Sequence, residues 1–312
     1  MPTLKSGPVT VEAPASSANL GPGFDALALA LDLHLFVTVT PLDAGSEQLI
    51  VEGEGADEIG MDAGNRFFIG LERGLQVAGL EPPVMRVEMR NEIPLARGLG
   101  SSAAAVVAGL RAAEAMSGVE LGFDMLLDIA TEVDGHPDNV AAALMGGFVI
   151  VARAGGGAPR AAHFEPPDQL AAALFIPELS LRTADMRVAL PDHVTHKDAA
   201  HNVSRVALLV AALTADRPEL LNAMADDRLH EPFRATHFPA FPALIDAAMK
   251  AGAKGASLSG AGSTVIALCV GPESAAQAAA AMEEAAGAAG VPGRATVVRP
   301  TTAGARIVES GT

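Results

Sequence analysis

Pro94-Leu95-Ala96-Arg97-Gly98-Leu99-Gly100-Ser101-Ser102-Ala103-Ala104 is a glycine loop that runs into an alanine-rich stretch, and its reading decides the fold. Glycines ahead of a helix let main-chain N–H groups come close to a ligand, and the first helical turn adds donors without intrahelical partners. The helix dipole gives that end a partial positive charge, so the loop is expected to bind phosphate, with Arg97 as a local cation. The bland reading of the same residues is a turn in which Ser101 merely caps the helix. Residues 84–89 read as a strand and 103–116, rich in the best helix former, as a helix, giving a unit of strand, glycine loop, helix.

Other phosphate motifs are missing. No Gly-Lys dipeptide exists in the chain, which removes the GxxxxGK[ST] loop, and neither HRD nor DFG occurs, which leaves a protein kinase unsupported. Gly98-x-Gly100-x-x-Ala103 matches the relaxed dinucleotide fingerprint, but no acid lies about 20 residues beyond it at the end of a second strand. A nicotinamide-dependent dehydrogenase is therefore the competing reading from another class, beside a catalytically silent nucleotide-binding protein.

Outward from the loop, the 312 residues suggest two domains at about 150 residues each. Half the residues are apolar and 19% charged, the balance of an ordered globular chain. The formal charge of −16 opposes nucleic acid and anionic membranes, so any polyanion must be held locally. Cys269 is the single cysteine, which excludes an internal disulfide and a CxxC metal site and fits a reducing cytoplasm. The opening Met1-Pro2-Thr3-Leu4-Lys5-Ser6-Gly7 lacks the apolar stretch of a secretory signal. Residues 255–272 carry no charge but are rich in small turn formers, and read as turn-rich rather than membrane-spanning. Without tryptophan or tyrosine there is no phenol for acid–base chemistry and no indole for stacking on bases.

Residues 9–12 read as a short strand entering a loop, and Leu27, Leu29, Leu31, Leu33, Leu35, Val37 and Val39 alternate with polar residues as a long strand with one buried face. Residues 43–64 are acidic and glycine-rich, a surface hairpin or excursion. Helical spacing marks 65–77, 123–133, 201–213, 241–250 and 273–288, and strands are expected at 148–152, 171–176, 264–270 and 294–298. The glycine and proline run at 154–167 is the domain boundary, giving units of 1–160 and 161–312, the second an α/β sandwich. His193, His196 and His201 carry no zinc reading, because the last two lie about 500° apart around a helix.

Two further clusters of small residues accompany the central loop: Pro14-Ala15-Ser16-Ser17-Ala18-Asn19-Leu20-Gly21-Pro22-Gly23-Phe24-Asp25 and Ser259-Gly260-Ala261-Gly262. Together with Gly98-Leu99-Gly100-Ser101-Ser102-Ala103-Ala104 they resemble the three motifs of the GHMP small-molecule kinases. The first is similar to that of the branch acting on L-homoserine; the glutamate and histidine of the sugar and mevalonate kinases are missing from it. Gly135-His136-Pro137-Asp138-Asn139-Val140, Thr183-x-x-x-Arg187 and His230-Glu231-Pro232-Phe233-Arg234 extend the resemblance over essentially the whole chain.

The resemblance implies an α+β, two-domain fold: an N-terminal ATP-binding domain like domain 2 of ribosomal protein S5 and a ferredoxin-like C-terminal domain, as a cytoplasmic homodimer. It implies ATP-dependent phosphorylation of the L-homoserine hydroxyl with Mg2+ in threonine biosynthesis, another small alcohol being the alternative substrate. The backbone of Pro94, Leu95, Ala96, Arg97, Gly98, Leu99, Gly100, Ser101, Ser102, Ala103 and Ala104 would wrap the triphosphate, with Asn65 near the adenosine. Ser101, or its neighbour Ser102, would offer a hydroxyl to Mg2+ and Asp134 a carboxylate, with Glu132 as the alternative; relatives carry glutamate where this chain has Asp134. Asn19, Asp25, His136 and Asn139 would surround the amino and hydroxyl end of the substrate, and Arg187 and Arg234, with Thr183 beside them, its carboxylate. Asp25 is the one nameable base, although the proton can pass to the γ-phosphate itself.

Overall fold

The computed structural model describes residues 3–310 apart from Ala154 and Gly156; Met1 and Pro2 of the opening and those two residues of the glycine run lie outside the described residues. The first half of the chain runs β1 (Val9–Ala18), β2 (Leu27–Pro41), β3 (Gln48–Gly53), α1 (Arg66–Val77), β4 (Met85–Asn91), α2 (Ser101–Ser117), α3 (Phe123–Asp134), α4 (Pro137–Met145), β5 (Phe148–Arg153) and β6 (Pro159–Phe164). The second runs β7 (Leu170–Pro177), α5 (Thr183–Val188), α6 (His196–Thr214), a 3-10 helix Pro218–Ala225, α7 (Glu231–Arg234), α8 (Phe241–Lys250), β8 (Gly255–Leu258), β9 (Val265–Val270), α9 (Pro272–Ala288), β10 (Gly293–Val298) and β11 (Arg306–Ser310).

Seven strands form the first sheet, in the order β11-β1-β2-β4-β3, with β5 paired to β2 and β6 to β5. Only β3 and β4 run parallel in it; residues 43–64 thus supply an edge strand rather than a hairpin. The dehydrogenase reading fails here, since a dinucleotide fold needs a mostly parallel, doubly wound sheet. β2 keeps its alternating pattern between Leu35 and Thr40, but residues 27–31 are buried on both faces. In that half β5 replaces β4 as its neighbour, and α4 covers the sheet. β1 also runs through residues 14–18, which the small-residue composition had suggested as loop.

The second sheet is antiparallel, in the order β10-β7-β9-β8. β7, β8 and β9 are uncharged and buried along almost their whole length, whereas the edge strand β10 carries Arg294 and is largely exposed. Ala171, Ala173 and Phe175 of β7 face the layer of α8 and α9, whereas Leu170, Ala172, Leu174 and Ile176 join the core shared with the first half. At about 25 cal/mol per Å² of apolar surface removed from water, this two-sided burial is what fuses the halves. The 160/161 division falls within β6, which pairs with β5, and β11 returns to β1, so the last strand belongs to the first sheet. No helix among the described residues is long and apolar enough to cross a membrane.

Candidate active site

The glycine loop joins β4 to α2 as its spacing implies, and the N-terminus of α2 is bare. Gly100 occupies the cap position at φ 70°, so no side chain caps the helix, and Ser101 is its first residue rather than its cap. Among the described residues the N–H groups of residues 98–103 have no hydrogen-bond acceptor; the first internal bond runs from Ala104 N to Gly100 O, 2.9 Å. All six residues line a cavity at the positive end of the helix. Gly98 (φ 77°) is required twice over: L side chains rarely adopt that angle, and a Cβ there would sit 2.1 Å from Ser259 O.

That cavity, of about 510 Å³, lies where the three small-residue segments meet. Asn19, Asp25, Asp134, His136, Asn139, Thr183, Arg187 and Arg234 line it together with Ala96 and residues 98–103. Ala18, Arg66, Asp138, Leu181, Ala184, Gly260 and Ala261 also line it, so residues from seven separate stretches of sequence converge on one space.

Each polar side chain has a physical reason for its position. Asn19 and Asp25 both adopt left-handed backbone (φ 68° and 55°), a strained conformation stabilised because Asp25 N donates to Asn19 Oδ1 at 3.0 Å. Asn19 Nδ2 also donates to Gly260 O (2.8 Å), which ties the first motif to the third and leaves the amide one N–H and one lone pair spare. Ser16 Oγ donates to Asn139 Oδ1 (2.8 Å), orienting the amide at the start of α4. Arg187 of α5 forks onto Asp25 with bonds of 2.8–3.1 Å, a bidentate pair across the cavity mouth.

Arg234 is buried, and its Nη1 donates to Gly260 O (2.8 Å) and to His230 Nδ1 (3.0 Å). His230 must then be protonated on Nε2, which donates to Gly21 O at 2.7 Å. Burial drives its pKa down to about 4, so the ring is neutral and can accept from the guanidinium. Asp227 accepts the N–H groups of His230 and Glu231 and the amide of Asn202, fixing the short turn that carries Arg234. Glu231 accepts Leu258 N, and its burial lifts its pKa to about 8. This network escapes a reading of the sequence, since nothing in spacing reveals burial.

Asp134 and Asp138 line the same cavity as Asp25. Asp134 is 3.8 Å from His136 Nδ1, and its carboxylate raises the affinity of the imidazole for a proton. Asp138, missed as a site residue although it stands inside the Gly-His-Pro-Asp-Asn run, is fully buried; burial foremost, with Asp25 and Asp134 nearby, pushes its pKa to about 6. Glu132 lies elsewhere, in an exposed ion pair with Arg73 at 2.7 Å. No group of three or more His, Cys, Asp or Glu side chains among the described residues can enclose a metal ion alone. One carboxylate and a serine hydroxyl lining the same cavity are the oxygen donors that suit Mg2+ sharing its shell with phosphate and water.

Three expectations for the loop change. Arg97 turns away from the cavity: Nε, Nη1 and Nη2 donate to the carbonyls of Pro177, Leu95 and Glu178 (2.8, 3.0 and 2.7 Å), so it ties the loop to the end of β7 and offers nothing to phosphate. Ala104 is buried, with its N–H already bonded to Gly100. Pro94 and Leu95 lie behind the loop, Leu95 lining a second cleft of about 300 Å³ with Leu35, Ile59, Phe67 and Met89. Asn65 borders that cleft, but its amide is used in structure, accepting Phe67 N to cap α1 and donating to Gly60 O.

A bare glycine-loop helix start facing acids and arginines across a two-sheet α+β frame defines a small-molecule kinase of the GHMP class. Models of the GHMP kinase N-terminal and C-terminal domains match residues 67–147 and 208–288. The chain is 42% identical to the homoserine kinase of Carboxydothermus hydrogenoformans over 83% of its length and 84% of the relative's, and 44% identical to that of Streptomyces coelicolor over 86% of each. The crystal structure of homoserine kinase from Cytophaga hutchinsonii superposes with a TM-score of 0.87 at 30% identity, covering 99% of both chains. The chain belongs to the homoserine kinase family.

Proposed function

We propose that the chain transfers the γ-phosphoryl group of ATP to the side-chain hydroxyl of L-homoserine, giving O-phospho-L-homoserine and ADP. The observation that carries this reading is the row of free N–H groups at residues 98–103, which line the same cavity as the Asp25–Arg187 pair. Phosphoryl transfer asks for an in-line acceptor and neutralisation of spreading negative charge, with little covalent help from the protein. The main-chain donors supply that neutralisation, in a chain whose overall charge is −16. The adenine occupies the apolar cleft beside Asn65.

Homoserine enters as a zwitterion. Its ammonium replaces Arg187 on Asp25, its carboxylate takes Arg187 and Arg234, and Thr183 closes that end. Asn139 and His136 orient the hydroxyl toward the γ-phosphorus, and the hydroxyl proton leaves for a phosphate oxygen or for Asp25. Ser101 and Asp134 hold Mg2+, which when bound supplies positive charge against the triphosphate. A homodimer, as the resemblance implies, is tested by light scattering. The cytoplasmic setting agrees with a single cysteine that is fully buried and free.

The test is ADP release with and without homoserine, read by a coupled assay. Release stimulated by L-homoserine and accompanied by O-phospho-L-homoserine supports the assignment. Stimulation solely by another alcohol overturns the substrate, and no turnover with intact ATP binding overturns the activity.

A further inference from the structure

The apolar cleft and the acid-lined cavity touch at one place. Among the described residues, Arg66, Ser101 and Ser102 alone line both spaces. A molecule with its ring in the cleft and its reacting end in the cavity must pass between Arg66, the first residue of α1, and the start of α2. In ATP, the part that crosses such a neck is the α,β-phosphate pair.

The charges around this neck make the position telling. Asp25, Asp134 and Asp138 line the cavity and Glu58 and Asp62 the cleft, Arg187 is engaged by Asp25, Arg97 is turned away, and among the described residues no lysine lines either space. Arg234 sits at the far, substrate end, held by Gly260 O. Among the described residues Arg66 is the cation left at the neck. Its Nη1 donates to Val133 O (2.7 Å), a carbonyl in the last turn of α3, so the guanidinium is anchored beside Asp134. Among the described residues its Nε and Nη2 have no protein partner, and these are the two donors of a fork that fits phosphate.

We infer that Arg66 is a nucleotide-binding residue that bridges the α- and β-phosphates of ATP, working with the main-chain donors of residues 98–103 and opposite Ser101. This rests on the ATP-dependent reading above. It goes beyond that reading by adding a side-chain cation to a site otherwise built from amides. It also replaces Arg97, the cation the sequence had suggested.

Titration of adenosine, AMP and ADP against the intact wild-type chain and the R66Q and R66K variants tests it, alongside steady-state kinetics. R66Q should leave adenosine affinity within about twofold while weakening ADP by roughly tenfold or more, the loss of a charge-assisted contact. R66K should recover part of the ADP loss, as a point charge without the fork. KM for ATP should rise while KM for homoserine stays. Equal weakening of adenosine and ADP would mean that Arg66 only braces α1 against α3, and unchanged ADP binding in R66Q would remove any contact; either overturns the inference. Failure of the wild type to bind ADP would instead overturn the ATP reading itself.

Discussion

Asp25 and Arg187 hold each other in the cavity, and in the proposed reading recognition is an exchange: one internal ion pair gives way to two with the zwitterion. An alcohol with only one of the two charges would leave a partner unmatched, which disfavours it. Substituting Asp25→Asn should therefore raise KM for homoserine by roughly thirtyfold, about 2 kcal/mol of charge-assisted bonding, while ATP affinity is unchanged; equal loss for both substrates in steady-state kinetics would contradict the role. At this scale the sequence was legible as to which motif residues share one cavity, as with Asp25, Arg187 and Asn139. It was silent where direction or burial decides. Arg97 looked available but its guanidinium is spent on three carbonyls, and Asp138 looked ordinary but is buried with its pKa at about 6.

Among the elements, the turn of α7 and the loop after β8 are braced by groups whose ionisation is set by burial. Glu231 ionises near 4.5 when unfolded and near 8 when folded, so between those values the folded chain binds more protons and this group's stabilisation falls as pH rises. E231Q, which cannot ionise, should flatten that limb, on the order of a few kcal/mol across it, in melting curves taken from pH 5 to 9. His230 works in the opposite direction: with its pKa lowered from 6.5 to about 4, its contribution is complete above pH 6.5 and lost as pH falls toward 4. Gly98→Ala should cost roughly 2–3 kcal/mol of stability and raise KM for ATP as the loop is displaced from Ser259, measurable by thermal melting and kinetics. Strong periodicity made β2 and the long helices readable. β8, Gly-Ala-Ser-Leu at residues 255–258, carries no β-branched side chain and β3 sits in an acidic edge, so tertiary pairing rather than local preference makes them strands.

Over the whole molecule, a charge of −16 sets a repulsive field against nucleotide, overcome only within the site. Screening should therefore raise kcat/KM for ATP by roughly twofold between about 20 and 150 mM monovalent salt at saturating Mg2+ and homoserine; a fall would show that the local cations dominate the approach. The glycine and proline run at 154–167 does not separate the sheets, since β6 within it pairs with β5, and the return of β11 could not be read because pairing between Val9 and Ser310 leaves no local trace. During translation that return imposes an order of events. The ribosome must release residues 306–310 from its exit tunnel before β1 gains its outer neighbour, so the first sheet, begun first, is finished only after the second has been made.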